Sequence, residues 1–158
     1  MIKNILFMSF LSVLCMALLV SCAKKNTTPA GNNNNSYTST FTATINGSHY
    51  TATAVSGIIL SGVVSIVSAN AGDSIGFNIL LTYTSPGTYQ LNNSINPGQL
   101  VYINNKTSNT YHSTSGNIVV TSYANNVMIG TFQGYCLNTG AAQDSVSVTN
   151  GAFNIYIH

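Results

Sequence analysis

Strict alternation of apolar with smaller or polar side chains constrains this chain more than any other feature. Ile75, Phe77, Ile79, Leu81 and Tyr83 are interleaved with Ser74, Gly76, Asn78, Leu80 and Thr82. A period of two puts successive side chains on opposite faces of an extended strand, so this run reads as a strand with one buried face. The clearest turn is Asn46-Gly47, a pair that tolerates the two positive φ angles of a type I′ hairpin. Phe41, Ala43 and Ile45 lead into it and Ser48 to Val55 return. That register sets Ile45 against Ser48, Thr44 against His49 and Ala43 against Tyr50, with Tyr50 and Ala52 on the apolar face and His49 on the solvated one.

Further runs follow the same rule. Ile58–Leu60 and Val63–Ala69 precede a turn at 70–73, and Pro86-Gly87 breaks the long alternating run. Thr88–Leu91, Leu100–Asn104 and Tyr111–Ser113 are shorter strands around an Asn-rich loop at 92–98. Ile118–Tyr123 and Val127–Leu137 form a hairpin across Ala124-Asn125-Asn126, and a loop at 138–144 leads to Val146 and Val148. Asn150-Gly151 then separates these from Phe153, Ile155 and Ile157. No segment after Ser21 reads as a helix. The expected fold is an all-β antiparallel meander of about 8–10 short strands, packed as a sandwich or closed as a flattened barrel.

Composition narrows the function. Between residues 22 and 158 the only ionised side chains are Lys24, Lys25, Lys106, Asp73 and Asp144, and Arg, Glu and Trp are absent. A phosphate backbone is bound by clustered Lys or Arg; nucleic acid is excluded as a partner. Val, Ile, Thr, Tyr and Phe dominate, and they are strand formers.

The N-terminus supplies an address. Lys3 gives a positive start and Ile5–Val20 an apolar stretch, closed by Leu19-Val20-Ser21-Cys22, which resembles a bacterial lipobox. The stretch, interrupted by Ser9 and Ser12, falls short of the roughly 20 residues that span a bilayer. The resemblance to bacterial lipoproteins implies removal of residues 1–21, diacylglyceryl transfer to the Cys22 thiol and acylation of the freed amine, and several acyl chains hold a protein firmly on a membrane. Residues 22–36 have almost nothing to bury and read as an Asn-rich disordered tether, about 20 Å long on average. Residues 37–158 form one all-β domain, expected to be a monomer. The location is the cell envelope, at the outer membrane. Ala23-Lys24-Lys25 differs from the acidic residues that resemble surface-export signals, so both faces of that membrane stay open.

Several blocks carry a wider resemblance: Phe41-Thr-Ala-Thr-Ile-Asn-Gly47 with an aromatic at Tyr50, Pro86-Gly-Thr-Tyr89, Ser115-Gly-Asn-Ile118 leading to Thr121-Ser-Tyr123, Gly130-Thr-Phe132, and Val148-Thr-Asn-Gly-Ala-Phe153. In order and spacing they resemble small Bacteroidota lipoproteins of domain-of-unknown-function family 6252, from about residue 41 to the C-terminus. Tyr50 stands where that family often carries Trp. The resemblance implies fold and compartment, and no activity or catalytic residues.

Groups able to do chemistry are few: Asp73, Asp144, His49, His112, His158, Lys106 and Cys136. The two carboxylates precede different strands, with nothing in their spacing to suggest a glycosidase pair. The histidines lack the short spacing of a zinc site. With Cys15 removed and Cys22 lipidated, Cys136 is left without a disulfide partner; it shares the parity of Met128 and Phe132 and reads as a small buried hydrophobe. No catalytic residue, metal or cofactor is expected. Tyr102, Tyr111, Tyr123 and Tyr156 offer flat faces for stacking on sugars or lining a pocket, although only Tyr156 clearly falls opposite the apolar face of its own run. Asp73-Ser74-Ile75 and Asp144-Ser145-Val146 both resemble the Asp-(Ser/Thr)-apolar acceptor of Bacteroidota O-glycosylation, which makes Ser74 and Ser145 candidate acceptors. The leading expectation is a lipid-anchored, non-enzymatic binding or structural module for a glycan or protein partner. The alternatives are a carrier of a small hydrophobic ligand inside a barrel and, last, a hydrolase.

Overall fold

The computed structural model describes residues 37–140 and 144–158. The signal segment, Cys22 and the Asn-rich segment lie outside the described residues. Ten strands follow in order: β1 (Thr40–Ile45), β2 (Ser48–Thr51), β3 (Ala54–Leu60), β4 (Val63–Asn70), β5 (Ile75–Leu81), β6 (Gly87–Gln90), β7 (Gly98–Asn104), β8 (Asn109–Ala124), β9 (Val127–Asn138) and β10 (Ser145–Tyr156). They make one sheet in the order β2-β1-β10-β9-β8-β7-β5-β4-β3, with β6 paired to β8. The pairing between these strands is antiparallel throughout, and the sheet curls into a half-barrel. The fold is thus all-β, built from one curled sheet.

The first hairpin keeps the register that its turn predicts, with Ala43 opposite Tyr50 and Thr44 opposite His49. Asn46 and Gly47 take φ of 46° and 84°, the left-handed pair a type I′ turn needs. Asn125 and Asn126 repeat this between β8 and β9 with φ of 51° and 61°.

Four sequence expectations change. Ser48–Val55 is not one strand: β2 stops at Thr51, and Ala54-Val55 opens β3 on the far edge of the sheet. The intervening Ala52 N–H donates to Phe41 O at 3.0 Å while Thr53 N–H donates to Ala69 O at 2.8 Å, so two consecutive residues bond to opposite edges. Two residues span only about 7 Å, and a flat sheet cannot bring its ends that close. The sheet therefore has to curl. Opposite the corner, Gly57 bridges Ile157 and accepts from His158 N–H at 2.9 Å.

Tyr111–Ser113 and Ile118–Tyr123 fuse into the single strand β8. The Thr-Ser-Gly-Asn stretch between them has one strand former in four residues, but β9 is a continuous template that holds it through bulges at Ser113/Ser115 and Val120/Ser122. The fully buried Ser113 closes the gap where β7 leaves β8: its Oγ accepts from Leu100 N–H at 3.0 Å and donates to Asn92 O at 2.9 Å. Asn150-Gly151 is likewise a bulge within β10. Tyr83 leaves the inner face because β5 ends at Leu81, and its exposed ring stacks on the buried Tyr89 at 5.7 Å between ring centroids.

The inner face is filled by side chains. Phe41 lies 4.9 Å from Phe132 and 5.5 Å from Phe77, and Tyr50 and Tyr102 lie 5.1 and 5.3 Å from Phe77 between ring centroids. Aliphatic residues including Ile66, Ile79, Leu100, Ile118 and Ile155 complete this core.

Candidate functional site

On β9, Met128, Gly130, Phe132 and Cys136 turn toward the core, which leaves Ile129, Thr131, Gln133, Tyr135 and Leu137 on the outer face. Tyr135 is opposite Ser147 of β10, while Gly134 is flanked by Gly116 of β8 and Val148 of β10. Gly116 and Gly134 let the backbones of β8 and β9 approach closely here, and the register shifts after Ser113 and Val148 break the regular ladder on either side of Tyr135. The result is an open notch of about 230 Å³, lined by Gln133, Tyr135, Ser147 and Thr149 with Gly116, Gly134 and Val148 among them.

The notch presents one aromatic ring, 45 % exposed, with an amide and two hydroxyls. It contains no carboxylate, ammonium or imidazole. That set suits an uncharged ligand with hydroxyl or amide groups along one side and an apolar face on the other. Sequence reasoning singled out Tyr156 as the outward tyrosine and missed Tyr135. The signal was present: the parity that turns Phe132 and Cys136 inward turns Tyr135 outward.

The tyrosines singled out from the sequence serve the fold. Tyr102 and Tyr111 are buried, whereas Tyr123 packs against the core partly buried. Tyr111 Oη donates to Asp144 Oδ2 at 2.6 Å and accepts from Asn109 Nδ2 at 3.3 Å. The Asp144 bond first, and burial second, push the Tyr111 phenol above its ordinary range. Burial does the same to Tyr50 and Tyr102. Tyr156 is half-buried with its ring 4.9 Å from that of His158.

The remaining titratable groups stand apart. His49 is exposed on β2, its Nε2 3.0 Å from Thr51 Oγ1. Burial lowers the pKa of His112 below that of an ordinary histidine, and its Nδ1 accepts from Gln99 Nε2 at 3.3 Å, as suits a neutral imidazole. Cys136 is fully buried, and burial raises its thiol from 9.0 to about 12; a thiol so disposed is no nucleophile at neutral pH. Lys106 and Asp73 make an exposed pair at 4.0 Å. Among the described residues no three His, Cys, Asp or Glu side chains gather as metal ligands would. Ser74 lies half-buried in the turn before β5 with φ of 55°, and Ser145 half-buried at the start of β10, its N–H on Asp144 Oδ1 at 2.8 Å.

The sequence blocks noted above occupy structural positions in this sheet: the β1 strand and its turn, the head of β6, the β8 bulge, the centre of β9 and the β10 bulge. A family model described as Domain of unknown function (DUF6252) matches residues 37–155. The chain belongs to this family. The match takes in nearly the whole DUF6252 sheet, notch included, and the family's description assigns it no activity. No curated protein and no solved structure matches the chain.

Proposed function

We propose that this is a lipid-anchored protein of the cell envelope, held at the outer membrane through Cys22, whose DUF6252 domain is a non-enzymatic binding module with the β8–β10 notch as its ligand site. The observation that carries the reading is the composition of the notch: Tyr135 beside Gln133, Ser147 and Thr149, without an ionised group. A neutral glycan fits that chemistry, since a sugar ring has an apolar face for an aromatic and hydroxyls for amide and hydroxyl partners. The interior favours this reading over a carrier, because aromatic side chains already occupy the space a carried ligand would take. It favours binding over hydrolysis as well, since His49, His112, Cys136, Asp73 and Asp144 belong to separate turns and strands.

Probing a panel of neutral envelope oligosaccharides with wild-type protein and Tyr135→Ala tests the proposal. Losing the stacked ring is expected to weaken binding up to about tenfold, from roughly 0.5–1.5 kcal/mol of aromatic contact. Equal binding by both proteins sinks the notch as the site. Ser74 and Ser145 are proposed glycan acceptors on the strength of their Asp-Ser-apolar context. Intact-mass spectrometry reads this directly: Ser74→Ala and Ser145→Ala each remove a discrete mass increment, and a native protein of unmodified mass rules the acceptors out.

A further inference from the structure

Strand direction assigns each turn to one of two rims of the half-barrel. The turns β1–β2, β4–β5, β7–β8 and β9–β10 share one rim, which carries Asp73, Lys106 and Asp144, the only ionised side chains from residue 37 onward. The start of β1, the end of β10 and the β3–β4 and β8–β9 turns share the other. Of the exposed large hydrophobic side chains among the described residues, Ile59 (41 %) and Leu60 (54 %) on the β3–β4 hairpin, Tyr83 just past β5, and Tyr37 lie at this second rim, whereas Leu137 near the end of β9 lies at the charged one.

The hairpin tip is the most prominent point there. Gly57 bridges Ile157 in parallel, so β3 runs on in the direction of β10 and carries Leu60 roughly 10 Å beyond the C-terminal residues. Along Ile58–Leu60 the outer edge of β3 has no strand beside it among the described residues, and neither Lys nor Pro guards it. Proteins ordinarily blunt such an edge. The chain also enters the domain at this rim: the Tyr37 ring lies 6.2 Å from that of Tyr156, and its hydroxyl donates to Asn154 Oδ1. The segment from Cys22 to Ser36 therefore attaches here. Only the fifteen residues from Cys22 to Ser36 separate the proposed anchor from this rim along the chain.

We propose that the β3–β4 rim docks on a lipid bilayer, with Ile59 and Leu60 dipping into the headgroup–acyl boundary and Tyr37 and Tyr83 at headgroup level. The proposal rests on the lipid anchor at Cys22. Penetration is shallow, because the free N–H and C=O groups of the β3 edge must keep water or headgroups as partners. Tyrosine suits that depth, having an apolar ring and a polar tip.

The test uses the full lipidated protein in vesicles of phosphatidylethanolamine and phosphatidylglycerol, nitroxide-labelled at Leu60→Cys or, on the charged rim, at Asn105→Cys. Buried Cys136 stays unlabelled at neutral pH. The label at 60 is expected to lose most of its collisions with a water-soluble nickel chelate and to gain collisions with oxygen, whereas the label at 105 keeps the profile of an aqueous site. Equal profiles at both positions overturn the proposal, as does a label at 60 that is shielded by spin coupling to a second copy. Intact mass separates the two premises. Without lipid on Cys22 the anchor reading falls and the orientation falls with it, whereas a lipidated protein with an aqueous label at 60 overturns the docking rim alone.

Discussion

Phe132 shows how much one core position carries. Its ring lies 4.9 Å from Phe41, 6.1 Å from Phe77 and 6.4 Å from Phe153 between centroids. Phe132→Ala should cost about 3–5 kcal/mol by leaving a cavity among rings that cannot all collapse. His49→Ala, on the exposed face of β2, should stay within about 0.5 kcal/mol of wild type. Urea unfolding decides between them, and the reverse ranking refutes the hairpin register. Cys136 gives a pH signature. Its thiol is raised from 9.0 to about 12 in the folded state, so the unfolded chain releases this proton first as pH rises. Its contribution is fully present below about pH 9 and is lost as pH climbs through that window toward 12, at up to about 1.4 kcal/mol per pH unit. Denaturant midpoints measured from pH 8 to 11 should fall less steeply for Cys136→Ala than for wild type. Parallel slopes refute the assignment.

At the scale of elements, β9 and β10 interlock through glycines. Phe153 is the ladder partner of Gly130 and its ring lies across it; Phe132 does the same to Gly151. A Cβ on Gly130 would stand 2.3 Å from Val119 O and 2.4 Å from Phe153 Cζ, one of them backbone that cannot step aside. Gly130→Ala should destabilise by about 1–3 kcal/mol through overpacking. Gly47→Ala meets nothing within 4 Å and is opposed only by its φ of 84°, for about 1 kcal/mol. Thermal melts of the two variants rank them, and a Gly130→Ala protein as stable as wild type contradicts the ring-over-glycine packing. The same strands display the notch, where the register shifts of β8 and β10 fall beside Gly116 and Gly134 and Tyr135 borders a depression.

For the whole molecule, the central expectation is attachment through one thiol. Cys22→Ala removes the only acceptor for a diacylglyceryl group that the lipobox resemblance provides, and detergent partitioning should move the variant from the membrane to the aqueous phase. A variant that stays with membranes, the segment before residue 22 uncleaved, identifies the apolar stretch as a helical anchor instead. The rims give the molecule a polarity along its strands, with ionised groups and the loop before β10 at one end and the chain entry with the apolar tip at the other.

Alternation and turn chemistry determined the local structure of this chain. Phe41 to Tyr50 read as a hairpin because Asn46-Gly47 fixes its own φ angles and hence the register, and Cys136 read as buried because period two ties it to Phe132. These are interactions between neighbours in sequence. Tyr135 was legible by the same parity, but its notch was not, since the facing glycines and register shifts come from three strands. Long-range pairing alone decided that Thr114–Gly116 stays within β8, that Asn150-Gly151 bulges without turning, and that Ala52 and Thr53 bond to opposite edges of one sheet. Nothing in Ala-Thr marks a corner. The backbone turns there because Phe41 O and Ala69 O, on strands far apart in sequence, are the acceptors within reach, and satisfying both curls the sheet.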